Sequence, residues 1–170
     1  YRRQRQMCIR DRHIINAEIV ASSSDLKAGQ AIDRVGVMLS LNFPAGPELE
    51  KLSEKSNAVF KIKPSMKNTD CSLSGVENKC KKMLTENYEK SDIALFCIDS
   101  VIAALDGMYK ALMPKYGALP VVFSGGVTSN KRIKNYFHDK YNAIFAEPAF
   151  SADNAAGTAV LSSIMYDRRK

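Results

Sequence analysis

The chain of 170 residues is long enough for one ordinary domain with its own core. It is 45% hydrophobic and 25% charged, which excludes a disordered or fibrous chain, and no apolar run reaches the roughly 20 residues of a membrane helix. The net charge is +7, of which +4 comes from five arginines and one aspartate in residues 1–12. We therefore expect a cytoplasmic protein whose body is only mildly basic.

Residues 1–12 have no apolar period, and their sequence resembles translated adapter read-through from sequencing assemblies. We interpret this segment as a non-native leader and exclude it from the prediction of the fold. A basic arm that contacts RNA is the alternative interpretation. The domain is then expected to occupy residues 13–170.

The segment 25–41 predicts a helix with an apolar stripe, and either Ser24 or Asp25 is suited to cap its start. The stripe consists of residues at helical spacing, namely Ile32, Val35 and Leu39. On another flank of the same helix, Gly29 and Asp33 lie four residues apart. A glycine beside a carboxylate leaves room for a ligand to approach.

A turn is predicted at Gly46, because Pro44 and Pro47 stand on either side of it. Proline suits the first turn of a helix, so a short charged helix is expected over residues 47–55. No internal repeat and no low-complexity linker interrupts the chain at this point.

Residues 56–75 predict irregular structure or short strands, and residues 75–84 predict a helix. A long helix is predicted over residues 91–113 because apolar side chains recur there every three or four positions. Pro114 and Gly117 are expected to end it.

The pattern changes after this helix. Residues 118–123 and 142–146 are short apolar runs typical of strands buried in a parallel sheet, and a polar helix is predicted between them over residues 129–139. A further helix is expected to begin near Asp153. This order predicts an α/β unit with a right-handed crossover.

Ligands of open α/β sheets bind at the carboxyl ends of the strands, where this chain has Ser124, Gly125 and Gly126. Glycines let backbone N–H groups reach a phosphate, and the start of the next helix adds a partial positive charge. The alternative is a plain strand-to-helix turn capped by Thr128 or Ser129.

The segment after the second strand carries Asp153, which could present a carboxylate to a metal or a ribose or could simply cap a helix. His13 and His138 are the only histidines, too few for a metal site built wholly from this chain. The four cysteines lack a C-x-x-C pair, so free thiols in a reducing compartment are expected: Cys8, Cys71, Cys80 and Cys97.

Six segments occur in an order and spacing that resemble the C-terminal half of the TsaD (glycoprotease) family. They are DLKAGQAIDRV, NFPAGPELEKL, CSLSGVENK, DIALFCIDSV, VVFSGGVTSN and SADNAAGTA. The resemblance implies the second lobe of an actin-like (hexokinase-type) ATPase fold, with parallel-sheet α/β units and extra helices, whose N-terminal lobe is missing here.

The resemblance also implies the site. Residues that contact nucleotide or substrate in the family match Asp33, Gly46, Glu50, Ser124, Gly125, Gly126 and Asn130. Asp33 matches a ribose-binding carboxylate, and Glu50 is a second candidate ribose partner. Asp153 matches the family's metal-binding aspartate. The catalytic group is not identified.

The implied activity is transfer of a threonylcarbamoyl group from its adenylate to the adenosine beside the anticodon of tRNAs that read ANN codons. ATP or an adenylate would be the ligand, and iron, zinc or magnesium the metal. The implied partners are tRNA and the proteins of the threonylcarbamoyl complex. Two histidine ligands lie in the family's N-terminal half, so we expect this half alone to be inactive.

Two departures from the family pattern indicate an alternative. Ala45 stands where the family has a glycine, and Cys71 begins a variant of a usual FSFSG-like run. A divergent Firmicutes paralogue that binds nucleotide without catalysis, as a regulator or scaffold, would fit them. The older metallopeptidase label has little support, because the chain has no H-E-x-x-H motif and no nucleophile paired with a base.

Overall fold

The computed structural model describes residues 18–147 and 155–167. The larger of two compact units is Ala21–Ala152, and the helix Ala155–Asp167 belongs to the other. No helix in these two ranges is both long enough and apolar enough to cross a membrane.

The secondary structure alternates helices with very short strands. The helices are α1 (Ala28–Met38), α2 (Gly46–Ser53), α3 (Ser74–Thr85), α4 (Lys90–Tyr116), α5 (Lys131–Tyr141) and α6 (Ala155–Asp167). The strands are β1 (Ser65–Lys67), β2 (Asp70–Ser72), β3 (Val122–Phe123) and β4 (Ile144–Phe145), and a 3₁₀ turn spans Gly126–Ser129. These elements confirm the predicted order.

The core of the larger unit is built around α4, whose buried side chains contact α1, α2, α3 and α5. Ile93, Ile98 and Val101 of this helix are fully buried. The predicted apolar stripe of α1 also lies in the core, which confirms that prediction. Burial of such stripes is the main source of stability for helices of this length.

Helix α4 continues past Pro114, so the prediction that this proline ends it was wrong. Pro114 has no N–H to donate, but it lies in the last turn, where a missing hydrogen bond disturbs the helix least. Gly117, with a φ of 73°, ends the helix instead.

Asp25 does not cap α1, whose N-cap position is Lys27. Its carboxylate instead accepts hydrogen bonds at the start of α3, from Ser72 Oγ at 2.6 Å, Ser74 Oγ at 2.6 Å and Leu73 N at 2.9 Å. The bonds from Ser72 and Ser74 hold the pKa of Asp25 well below its usual range. Asp25 therefore binds the start of α3, which lies far along the chain, and not the start of α1.

The first of two small sheets is the antiparallel pair β1–β2, in the register Met66 opposite Cys71. A parallel bridge between Ser23 and Cys71 adds the segment before α1 to its other side. Short strands in the irregular region before α3 were predicted, and this sheet confirms them.

The second sheet pairs β3 with β4 in parallel, and α5 connects them. Phe123 and Phe145 stack with centroids 5.1 Å apart, and Phe123 packs against Phe137 of α5. The predicted order of strand, helix and parallel strand is confirmed. The prediction that both strands are fully buried was wrong, because Val122 is 66% exposed and Ile144 is 59% exposed on the opposite face.

Candidate functional site

A hydrogen bond and a close packing contact join helix α1 to the turn that precedes α2. Asp33 Oδ1 accepts a hydrogen bond of 3.0 Å from Ala45 N. One turn further along α1, a methyl group added at Gly36 would overlap the side chain of Ala45. These two contacts bring Asp33 close to Gly46, the first residue of α2.

Helix α2 is in turn fastened to the start of α5. Glu50 Oε1 accepts a hydrogen bond of 2.7 Å from Lys131 N. Lys131 directly follows the loop 124–130, so this hydrogen bond ties the C-terminal end of the loop to α2. Glu50 and Asp33 therefore each bind a backbone amide that flanks one of the predicted ligand segments.

The loop after β3 has an internal framework of its own. Gly125 has a φ of 112°, which side-chain-bearing residues rarely adopt, and its carbonyl accepts a hydrogen bond of 2.8 Å from Thr128 Oγ1. A methyl group added at Gly29 would lie 3.6 Å from Cγ2 of Val127, so the loop also contacts α1. The loop is thus in contact with the same helix that carries Asp33.

Asn130 is the N-cap of α5, because its Oδ1 accepts a hydrogen bond of 3.1 Å from Ile133 N. The prediction that Thr128 or Ser129 caps this helix was wrong. Asn130 wins that position because it is the last extended residue before the helix, which is the conformation an N-cap requires.

Open space surrounds the glycines of the predicted ligand segments. A methyl group added at Gly46, Gly125 or Gly126 would meet no other atom within 4 Å. Ser124, next to them, is exposed. The side of each glycine on which a side chain would stand therefore has room for a ligand.

The structure thus brings together the predicted positions on three elements. They are Asp33, Gly46, Glu50, Ser124, Gly125, Gly126 and Asn130. Asp153 lies outside the described residues. Within the described ranges, no three His, Cys, Asp or Glu side chains are grouped so as to hold a metal ion.

Ala45, the departure from the family pattern at the turn, is fully buried. Its methyl group faces Gly36 of α1 rather than the open side of Gly46. The extra methyl group therefore occupies the core and takes no space from a ligand.

A polar cluster that was not predicted joins α4 to the C-terminal end of α5. Asp106, which is buried, accepts hydrogen bonds from Lys110 Nζ at 2.6 Å, Tyr141 Oη at 2.6 Å and Lys140 Nζ at 2.9 Å. Burial raises the pKa of Asp106, but these bonds outweigh it and lower the pKa to about 2. Burial and the bond to Asp106 raise the pKa of Tyr141 to about 12.

A second ion pair lies seven residues earlier on α4, where Asp99 receives two hydrogen bonds from Arg132, of 2.6 and 3.0 Å. Asp92 stands seven residues before that and accepts from Ser56. Carboxylates at this spacing share one face of a helix. This pattern in a predicted apolar helix was the signal that could have revealed the polar seam.

Comparison with known proteins gives a family match over most of the chain. The model of the family described as "TsaD: tRNA N6-adenosine threonylcarbamoyltransferase" matches residues 6–160. Curated relatives with that enzyme name include one from Kosmotoga olearia, 28% identical over 91% of this chain and 49% of its own length. Another, from Buchnera aphidicola, is 33% identical over 88% of this chain and 48% of its own length. The chain spans about half the length of these relatives, and it belongs to the TsaD family.

Proposed function

We propose that this chain is the C-terminal half of a tRNA N6-adenosine threonylcarbamoyltransferase. The intact protein would transfer threonylcarbamoyl from its adenylate to the adenosine next to the anticodon, in the cytoplasm and with the proteins of the threonylcarbamoyl complex. The observation that carries the proposal is the family match over residues 6–160, together with relatives of that name. Tethering of three ligand segments to one another supports it.

We further propose that the larger unit is the second lobe of an actin-like ATPase fold. Support comes from the parallel β3–α5–β4 unit, which has a glycine loop at the carboxyl end of β3. Ligands of such sheets bind beyond the carboxyl ends of the strands. An adenylate would then lie between this loop and the turn before α2.

In this proposal Asp33 and Glu50 each use one carboxylate oxygen for the protein and the other for the ligand. Asp33 Oδ1 binds Ala45 N, and Glu50 Oε1 binds Lys131 N. The second oxygens, Oδ2 and Oε2, accept no hydrogen bond within the described ranges and would accept from ribose hydroxyls. Fixing one oxygen to backbone would orient the other without loss of side-chain freedom on binding.

The phosphate would meet the backbone of the loop at Gly125 and Gly126 rather than the first turn of α5. In that turn, Glu50 accepts from Lys131 N, Asn130 Oδ1 accepts from Ile133 N, and the Asn130 carbonyl accepts from Lys134 N. Most donors of the helix start are therefore already used by the protein.

Asn130 would contact the substrate with its side-chain NH₂ group, because its Oδ1 caps α5. Asn130→Asp keeps a capping oxygen and removes the NH₂ group, whereas Asn130→Ala removes both. In the intact protein we expect both variants to lose transfer, and only Asn130→Ala to lose about 1 kcal/mol of unfolding free energy. An Asn130→Asp enzyme with unchanged turnover would contradict the contact.

Asp153 is proposed as one ligand of a divalent metal, by resemblance alone, because it lies outside the described residues. Bound there, a metal would supply charge to neutralise phosphate and polarise the carbonyl of the acyl group. One carboxylate cannot complete a coordination shell. The other ligands would come from the missing half.

The competing proposal, a non-catalytic nucleotide-binding paralogue, rested on the departures at Ala45 and Cys71. Both residues are buried in the core of the larger unit. Neither side chain therefore changes the face that a ligand would meet, and the departures no longer favour this alternative.

The deciding experiment recovers the coding sequence upstream of residue 13 and purifies the intact protein with its partner proteins. Supplied with threonylcarbamoyl-adenylate and an ANN-reading tRNA, it should form the modified adenosine, detected by nucleoside mass spectrometry. Asp153→Ala should abolish transfer and weaken metal binding while the fold survives. Nucleotide binding without transfer by the intact protein would support the paralogue instead.

A further inference from the structure

The segment between α2 and β1 belongs to neither sheet, and within residues 18–147 and 155–167 no strand pairs with it. Its side chains alternate along residues 57–64 between a half-buried and an exposed face, as in a strand packed on one side. The half-buried residues are Ala58, Phe60, Ile62 and Pro64, and the exposed residues are Asn57, Val59, Lys61 and Lys63. Val59 is 91% exposed.

The backbone of this segment is unpaired because its neighbour in the sheet is too short. Strand β1 pairs with β2 only as far as Ser65 opposite Ser72, where β2 ends and α3 begins. Residues 57–64 therefore extend beyond the end of β2. Within the described ranges, the one hydrogen bond their backbone amides make is from Ala58 N to Ser56 Oγ, at 3.1 Å.

The segment is held rigidly by its inner side chains. Phe60 packs edge-to-face on Phe96 of α4, with ring centroids 5.4 Å apart. Pro64 and Met66 lie directly over Gly107 of α4, so closely that a methyl group there would come within 2.9 Å of Met66 Sδ. These contacts anchor the segment on α4, and anchoring before a partner arrives lowers the entropic cost of binding.

A groove of about 1030 Å³ runs beside this strand. On α4 it is lined by Ile102 and Ala103 between Asp99 and Asp106, whose carboxylates are paired with cations, and on α5 by Arg132 and Tyr136. An unpaired backbone edge beside such a groove is the arrangement that accepts an added peptide strand.

The charges along the edge select the partner. Lys61 and Lys63 are exposed and form no ion pair within the described ranges, whereas Arg132 on α5 is neutralised by Asp99. On an added strand, residues beside these lysines face solvent on the same side, and opposite charges at such cross-strand positions attract. The residues between them face the groove, where contact with Phe60, Ile62 and Ile102 favours apolar side chains.

We propose that residues 57–64 form a docking edge for an extended acidic segment of a partner protein, which adds as a strand with alternating apolar and acidic residues. Backbone hydrogen bonds would supply affinity, and the pattern would supply specificity. Glu50 and Lys131 also line the groove, so an occupant would lie against the hydrogen bond that ties the C-terminal end of the loop 124–130 to α2. The docking edge does not depend on the proposed enzymatic function.

The test uses the 170-residue chain and a fluorescein-labelled peptide of about nine residues that alternates valine with glutamate. Fluorescence anisotropy should show binding at least about tenfold tighter than that of a valine–lysine peptide. Alternate N–H groups of a strand point to opposite edges, so N-methylation of either the odd or the even residues should abolish binding in one case and spare it in the other.

The matched variants separate the docking edge from general charge. Lys61→Glu with Lys63→Glu should reverse the preference toward the lysine peptide, whereas Lys79→Glu with Lys81→Glu on α3, which changes the charge equally, should leave it unchanged. Equal binding of both peptides, or retained binding by both N-methylated versions, would overturn the proposal. A dimer seen by sedimentation that the Lys61/Lys63 variant dissociates would assign the edge to a second copy and also overturn it.

Discussion

Gly125 is the one residue of the loop 124–130 whose backbone conformation demands glycine. Its φ is 112°, and a methyl group there would meet no neighbouring atom, so conformational strain is the whole cost of a side chain. We expect Gly125→Ala to lower the free energy of unfolding by about 1–3 kcal/mol in urea titrations. Gly126→Ala, in equally open space without a positive φ, should change it by less than about 0.5 kcal/mol. Equal losses in the two variants would contradict this.

The ionisation of Asp106 makes the free energy of unfolding depend on pH. Its folded-state pKa of about 2 lies below the usual 3.8, so its contribution is present above about pH 4 and is lost as the pH falls toward 2. We expect Asp106→Asn to cost about 1.5–3 kcal/mol at pH 7, with the deficit shrinking below pH 4. The exposed Asp139→Asn, measured by the same denaturant titrations, should show neither effect. A deficit that is constant with pH would contradict the charged interaction.

At the scale of elements, Gly107 sets how closely the extended segment approaches α4. A methyl group there would come within 2.9 Å of Met66 Sδ and 3.2 Å of Pro64 Cγ. We expect Gly107→Ala to destabilise the chain by about 1–3 kcal/mol, because overpacking outweighs the gain in helix propensity.

The matched control is Gly75→Ala in α3, where a methyl group meets nothing within 4 Å. That variant should stabilise the chain by about 0.5–1 kcal/mol, since alanine favours the helix. Thermal unfolding followed by circular dichroism measures both. A Gly107→Ala chain that melts no earlier than the wild type would show that β1 moves away at little cost.

The helices could be predicted because their apolar periods are long, and α1 and α4 lie where those periods placed them. The ends of helices and strands were harder to predict, because they depend on contacts with residues far along the chain. Asp25 has the sequence position of a local cap but accepts hydrogen bonds from Ser72 and Ser74, and β3 and β4 are only two residues long. Periodicity carries no information about either circumstance.

For the whole molecule, the described thiols report on global unfolding. Cys71, Cys80 and Cys97 are buried. The hydrogen bond with Cys80 and burial raise the pKa of Cys97, and burial raises that of Cys71, so thiolate is scarce at both. In a Cys8→Ser background we expect an aromatic disulfide reagent to react slowly with native protein and at once in denaturant. Rapid reaction under native conditions would reveal local opening of the core.

The site was predictable at the level of segments but not of contacts. The family motifs implied that the loop 124–130 and Gly46 contact the same ligand, and that role stays a prediction. That Asp33 and Glu50 bind backbone amides, and that Asn130 caps a helix, depends on side-chain geometry that a sequence pattern does not contain. The polar seam around Asp106 is different, because the seven-residue spacing of Asp92, Asp99 and Asp106 is visible in the sequence and could have predicted it.

The carboxylate of Asp25 has a kinetic consequence. Its bond to Leu73 N closes a chain segment of 48 residues, and closing a loop of that length costs a few kcal/mol of entropy before any contact compensates. The bond should therefore form after the folding transition state. We expect Asp25→Asn to leave the refolding rate in stopped-flow experiments nearly unchanged and to speed unfolding severalfold. A slower refolding arm would place this closure in the folding nucleus instead.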